Sequence, residues 1–175
     1  SALSANTTGA NNTAVGGQGV LDANTTGAQN TGIGGGALGA NTTASNNTAV
    51  GHATLIRNTT GASNTAVGVD ALNFNTTGAS NVAVGSAALG ANTTAANNTA
   101  MGYNALTANT TGSENVAVGG NALDANTTGA SNTALGRASL SAATTANANT
   151  AVGESAMRFL TTGTNNVAVG ASSLY

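Results

Sequence analysis

The sequence predicts an all-β fold, a parallel β-solenoid of ten coils, on three observations. A six-residue phrase, "NNTAVG" at 11–16, "SNTAVG" at 63–68, "SNVAVG" at 80–85 and "ENVAVG" at 114–119, returns along the whole chain. The glycine that closes it stands at 16, 34, 51, 68, 85, 102, 119, 136, 153 and 170, one step of 18 followed by steps of 17. That period is too short for helix-pair repeats, and abundant Gly and Asn with β-branched Val and Thr disfavour helix. One repeat per coil, stacked at about 4.8 Å, makes a rod roughly 50 Å long.

Order along the chain decides this reading, because composition by itself would suggest disorder. The 175 residues include no Pro, no Cys and few large side chains; the aromatics are Phe74, Phe159, Tyr103 and Tyr175. Disordered segments ordinarily carry high charge and Pro, whereas only eight residues here are charged: Arg57, Arg137, Arg158, Asp22, Asp70, Glu114, Asp124 and Glu154. The chain is treated as a single repeat domain over residues 1–175, with one extra residue in the turn between Gly16 and Leu21.

Alternation along the phrase assigns side chains to faces. Val15, Ile33, Val50, Val67, Val84, Met101, Val118, Leu135, Val152 and Val169 form a column that admits only apolar residues, and it is expected in the core. Thr13, Thr31, Thr48, Thr65, Val82, Thr99, Val116, Thr133, Thr150 and Val167 share that face. The residue between them must then point outward: Ala14, Ala49, Ala66, Ala83, Ala100, Ala117, Ala134, Ala151 and Ala168, with Gly32 completing the set. An outward column that never drifts to polar residues implies packing against another chain, so it is the expected lateral interface, the alternative being a short strand whose pleat Ala merely fits.

A second strand is expected around Leu38, Leu55, Leu72, Leu89, Leu106, Leu123 and Leu140, as in "NALTA" (104–108) and "NALDA" (121–125), giving about two large core side chains per coil. So thin a roll gains from association. Recurrent Asn and Thr-Thr read as turn formers and as coil-to-coil ladders, and the Gly after Thr-Thr as a corner. "NTT" also matches a glycosylation sequon, but the turn requires these residues regardless. Phe74, Phe159, Ile56 and Arg57 interrupt an otherwise Ala-rich column, and the Phe pair is expected to fill local voids or mark contact spots.

The phrases "SNVAVG" and "NNTAVG", followed by a small-residue segment such as "SAAL" or "YNAL", resemble the head repeats of YadA-like trimeric autotransporter adhesins and related bacteriophage tail-fibre repeats. The resemblance covers the whole chain. It implies a left-handed parallel β-roll, three copies side by side, with the Ala83 column toward the trimer axis. The coils are longer than the commonest adhesin head repeats, and the chain carries no stalk heptads, membrane anchor or tip chaperone domain, so a segment of a longer fibre is expected. An extracellular, cell-surface or virion location follows from the resemblance.

Little here speaks for chemistry. Three scattered Arg and no Lys offer no basic stripe for nucleic acid. No apolar run reaches the roughly 20 residues needed to span a bilayer, so no membrane insertion by this segment is expected. His52 occupies a variable turn column and the carboxylates are scattered, so no catalytic, cofactor-binding or metal-binding residue is nominated, and neither an enzyme nor a cofactor is expected. A hexapeptide acyltransferase solenoid would need 18-residue coils and a cleft His. The function expected is a structural and adhesive fibre segment with itself as partner and an unidentified surface ligand; the alternatives are an end-to-end polymerising filament and an ice-binding solenoid, the latter weakened because adjacent Thr-Thr leaves one outward Thr per coil.

Overall fold

The computed structural model describes residues 2–174; Ser1 and Tyr175 lie outside them. Ten three-residue strands, β1 (Thr13–Val15), β2 (Thr31–Ile33), β3 (Thr48–Val50), β4 (Thr65–Val67), β5 (Val82–Val84), β6 (Thr99–Met101), β7 (Val116–Val118), β8 (Thr133–Leu135), β9 (Thr150–Val152) and β10 (Val167–Val169), form one parallel sheet in chain order. Neighbouring coils pair position for position, as Ala66 with Ala83 and Val67 with Val84, so each repeat is one turn of a β-solenoid. The strands stop at the closing glycine, whose φ lies between +116° and +141°. A side chain there is doubly excluded, since a Cβ on Gly85 would sit 2.5 Å from the Gly102 carbonyl oxygen of the next coil.

The Leu segment is not a second strand, which corrects the expectation for 104–108 and 121–125. It is a run of overlapping turns: in one coil the Ala88 N–H donates to Gly85 O, Gly90 N–H to Ala87 O and Asn92 N–H to Leu89 O. The third residue of the first two turns, Ala87 (φ 56°) and Leu89 (φ 51°), has positive φ, and the pattern repeats at Asn104 and Leu106 and at Asn121 and Leu123. A left-handed non-glycine costs about 1–2 kcal/mol. Burying the whole Leu side chain contributes about 1.5–3 kcal/mol, which offsets one of the two such residues in each turn segment and leaves the other to the hydrogen bonds between coils. Inter-coil bonds hold the strained turn from both sides, since Ala87 N–H donates back to Val69 O while Leu89 N–H donates forward to Ala105 O.

The strand faces are inverted relative to the sequence expectation. Ala49, Ala66, Ala83, Ala100, Ala117, Ala134 and Ala151 are fully buried inside their own coil stack, Ala168 nearly so and Ala14 in part, so this column is core and not an inter-chain surface. Val15, Ile33, Val67, Val84, Met101, Val118, Leu135 and Val169 are exposed, with Val50 and Val152 half-buried, so the proposed Val core ladder points outward. The reason is width. Leu38, Leu55, Leu72, Leu89, Leu106, Leu123 and Leu140 enter from the turn wall and fill the interior, leaving the sheet room for a methyl. The second coil shows the limit: a Cβ on Gly32 would lie 3.0 Å from Val20 Cγ1 and 3.5 Å from Leu21 Cδ1. Val20 stands where most coils have Ala, and Gly32 compensates by losing its methyl.

Two buried asparagine ladders complete the interior. In the first, before Thr-Thr, Asn75 Nδ2 donates to Asn58 Oδ1 of the preceding coil (2.8 Å) and to Gly78 O of its own (2.9 Å). In the second, before the strand, Asn81 N–H donates to Asn64 Oδ1 (3.0 Å) and Asn64 Nδ2 reaches Gly78 O (2.9 Å). Both ladders thus converge on one carbonyl per coil, tying strand and corner together. The ladder asparagines themselves do not have positive φ; the left-handed corner falls on the exposed residue before the second ladder, which is Asn in four coils (Asn11, Asn46, Asn97 and Asn165) and a residue such as Ser80 or Glu114 in the others. Beside them Thr59 Oγ1 donates to Thr76 O (3.0 Å), and the same bond recurs from coil to coil.

Ala83→Val should overpack the interior and cost about 1–3 kcal/mol, whereas Val84→Thr should change the stability of the dissociated single chain by under about 0.5 kcal/mol in denaturant unfolding. The first ladder ends where Ala143 replaces Asn, leaving Asn126 Oδ1 buried without a donor. Ala143→Asn should therefore raise stability by about 1 kcal/mol, and Asn92→Ala, which breaks the ladder midway, should cost about 2–3 kcal/mol.

Candidate functional site

The solenoid offers two contrasting surfaces. On the sheet face, the Val67, Val84, Met101, Val118 and Leu135 column stands exposed beside the half-buried column of Thr65, Val82, Thr99, Val116 and Thr133. In-register pairing aligns both columns along the rod at the inter-strand spacing, and no charged residue interrupts either. The two columns together span ten strands and two side chains, roughly 45 Å by 10 Å, or about 450 Å², within the range of the largest patch on a monomeric protein, the outer column aliphatic throughout and its neighbour mostly Thr. It is the surface with the properties the Ala column was expected to have.

The turn face is its opposite in every respect. Seven of the eight charged residues lie there, Glu114 being the exception at the other corner. So do His52, Phe74, Tyr103 and Phe159. One residue after the closing glycine stand Gly35, His52, Val69, Ser86, Tyr103, Gly120, Arg137 and Glu154; five after it stand Gly39, Ile56, Asn73, Gly90, Thr107, Asp124, Ser141 and Arg158. Size and charge change from coil to coil, so the surface is notched. Phe74 and Phe159 are 45% and 53% exposed, which removes void filling as their role; Arg57 lies over the Phe74 ring, 4.0 Å from its centroid, and Arg158 over Phe159 at 5.6 Å.

The variable turn column of His52 and the fifth and sixth positions after the glycine belong to one surface, which the expected strand at Leu does not bring together. The signal was present in the alternation of Gly90 and Ala91 with Asn73 and Phe74. A strand at Leu would have sent these neighbours to opposite faces, whereas the turn brings them together.

His52 is exposed on this face, and among the described residues no three His, Cys, Asp or Glu side chains gather into a metal-binding group. Arg137 pairs with Glu154 across adjacent coils, an exposed pair worth little to stability. No helix among the described residues is long and apolar enough to cross a membrane. Comparison with family models, with curated proteins and with solved structures finds no match, so the surfaces themselves carry the functional reading.

Proposed function

We propose that this chain is a structural and adhesive fibre segment, a stiff rod that associates side by side with copies of itself through the sheet face and displays the turn face outward. The observation that carries this reading is the uncharged apolar strip along the sheet. A second copy is the occupant that fits it best. Only a chain with the same coil spacing can keep side chains in register over the full length, and two uncharged strips meet without repulsion. Resemblance of "SNVAVG" and its variants to YadA-like and tail-fibre repeats would make the assembly three left-handed rolls around one axis, now with the Val column rather than the Ala column innermost. A cell-surface or virion fibre is the setting in which such a rod serves.

Sedimentation at two concentrations tests this reading. A stable mass of three chains is expected, falling to one chain in Val84→Lys with Val118→Lys while the circular dichroism of the solenoid is retained. A single-chain mass for the unaltered protein would contradict lateral association and would favour the in-register Thr and Val columns as an ordered-water or ice-binding face, detectable as thermal hysteresis. A concentration-dependent series of long species would instead indicate end-to-end filament growth.

A further inference from the structure

Two shallow clefts on the turn face share one composition. The first, about 480 Å³, is lined by Arg57, Asp70, Asn73 and Phe74 and opens where Gly90 interrupts the column between Asn73 and Thr107. The second, about 420 Å³, is lined by Tyr103, Asn121, Asp124, Arg137 and Arg158 and opens where Gly120 separates Tyr103 from Arg137. Each holds an aromatic ring, a guanidinium and an Asp–Asn pair at the same two positions of the coil. In the first, Asn73 Nδ2 donates to Asp70 Oδ1 at 2.8 Å; in the second the order is exchanged, and Asn121 Nδ2 donates to Asp124 Oδ2 at 3.2 Å. Asp70 and Asn121 are three coils apart, roughly 14 Å along the rod at the inter-strand spacing.

We propose that these clefts are two subsites for one acidic glycan chain lying along the turn face. The exposed rings of Tyr103 and of Phe74, the latter with Arg57 over one face, suit the C–H face of a sugar ring, and each Asp–Asn pair offers acceptors and a donor side by side, the pattern that vicinal hydroxyls require. Arg158, outside the Arg137–Glu154 ion pair, and Arg57 match carboxylates on the sugar. An extended peptide is disfavoured because strand addition needs free backbone groups, and here the turn N–H groups of Leu72 and Phe74 already bond Ala88 O and Gly90 O.

This inference rests on the rod acting as a display scaffold, not on its oligomeric state. Calorimetric titration of the full chain with an oligogalacturonate long enough to span both clefts, and with a neutral maltooligosaccharide of equal length, tests it. The acidic sugar should bind, the neutral one about 10-fold more weakly or worse, and affinity should fall about 10-fold in Tyr103→Ala with Arg158→Ala and again in Arg57→Ala with Phe74→Ala, all with unchanged circular dichroism. Affinity per chain should persist in the single-chain Val84→Lys, Val118→Lys variant. No binding at about 1 mM oligogalacturonate, equal binding of the neutral sugar, or affinity indifferent to these substitutions would overturn the assignment. Loss confined to the single-chain variant would also overturn it, by placing the site between chains, while leaving lateral association intact.

Discussion

The inside of this solenoid is one methyl deep on the sheet side, and the rest of the structure is arranged around that limit. A leucine from each turn reaches across the interior and meets the alanine of the strand, as the burial of Leu89 and Ala83 shows. Nothing larger fits, and where Val20 intrudes the facing residue is Gly32. Each coil therefore buries little hydrocarbon, and the deficit is met by two means. One is hydrogen bonding that repeats from coil to coil through the Thr ladder, the second Asn ladder and, as far as Asn126, the first Asn ladder. The other, on the proposal of lateral association, is burial of the larger outward aliphatic residues between copies of the chain.

The same limit explains the strained turn. A strand at the Leu position would send its neighbours alternately in and out and leave the chain too extended to close a 17-residue coil on so narrow an interior. Overlapping turns with Ala87 and Leu89 at positive φ fold the wall compactly and still aim the leucine inward. Their outer positions bear no packing constraint. They are free to carry Arg57, Phe74, Tyr103 or Arg158 while the inner columns stay nearly invariant along the chain. Constancy inside and on the sheet face, with individuality on the turn face, separates a surface suited to self-association from one suited to recognising something else.

Much of this architecture was legible in the sequence, and what was not has a definite cause. The spacing of Gly16 through Gly170 fixed the coil and its register, and the Leu column was correctly sent inward. Alternation showed that Ala83 and Val84 face opposite ways but not which way is in; choosing the larger side chain for the core assumed an interior of ordinary width. The depth of the interior is set by the opposite wall, whose conformation was misjudged because Leu at positive φ runs against propensity. Constant Asn suggested ladders, yet only the coordinates show both ladders meeting on one carbonyl, as at Gly78. The clefts were invisible for the same reason as the turn, since their walls come from positions a strand would have separated.

Face assignment is the claim on which all of this depends, and the absence of cysteine makes it directly measurable. Single-cysteine variants Ala83→Cys and Val84→Cys can be alkylated under native conditions over a range of protein concentrations. Ala83→Cys should react only as fast as the chain unfolds, independent of concentration. Val84→Cys should react far faster in dilute solution and slow as lateral association covers the sheet face. A fast, concentration-dependent reaction at Ala83→Cys with unfolding-limited reaction at Val84→Cys would contradict it and return the valine column to the core.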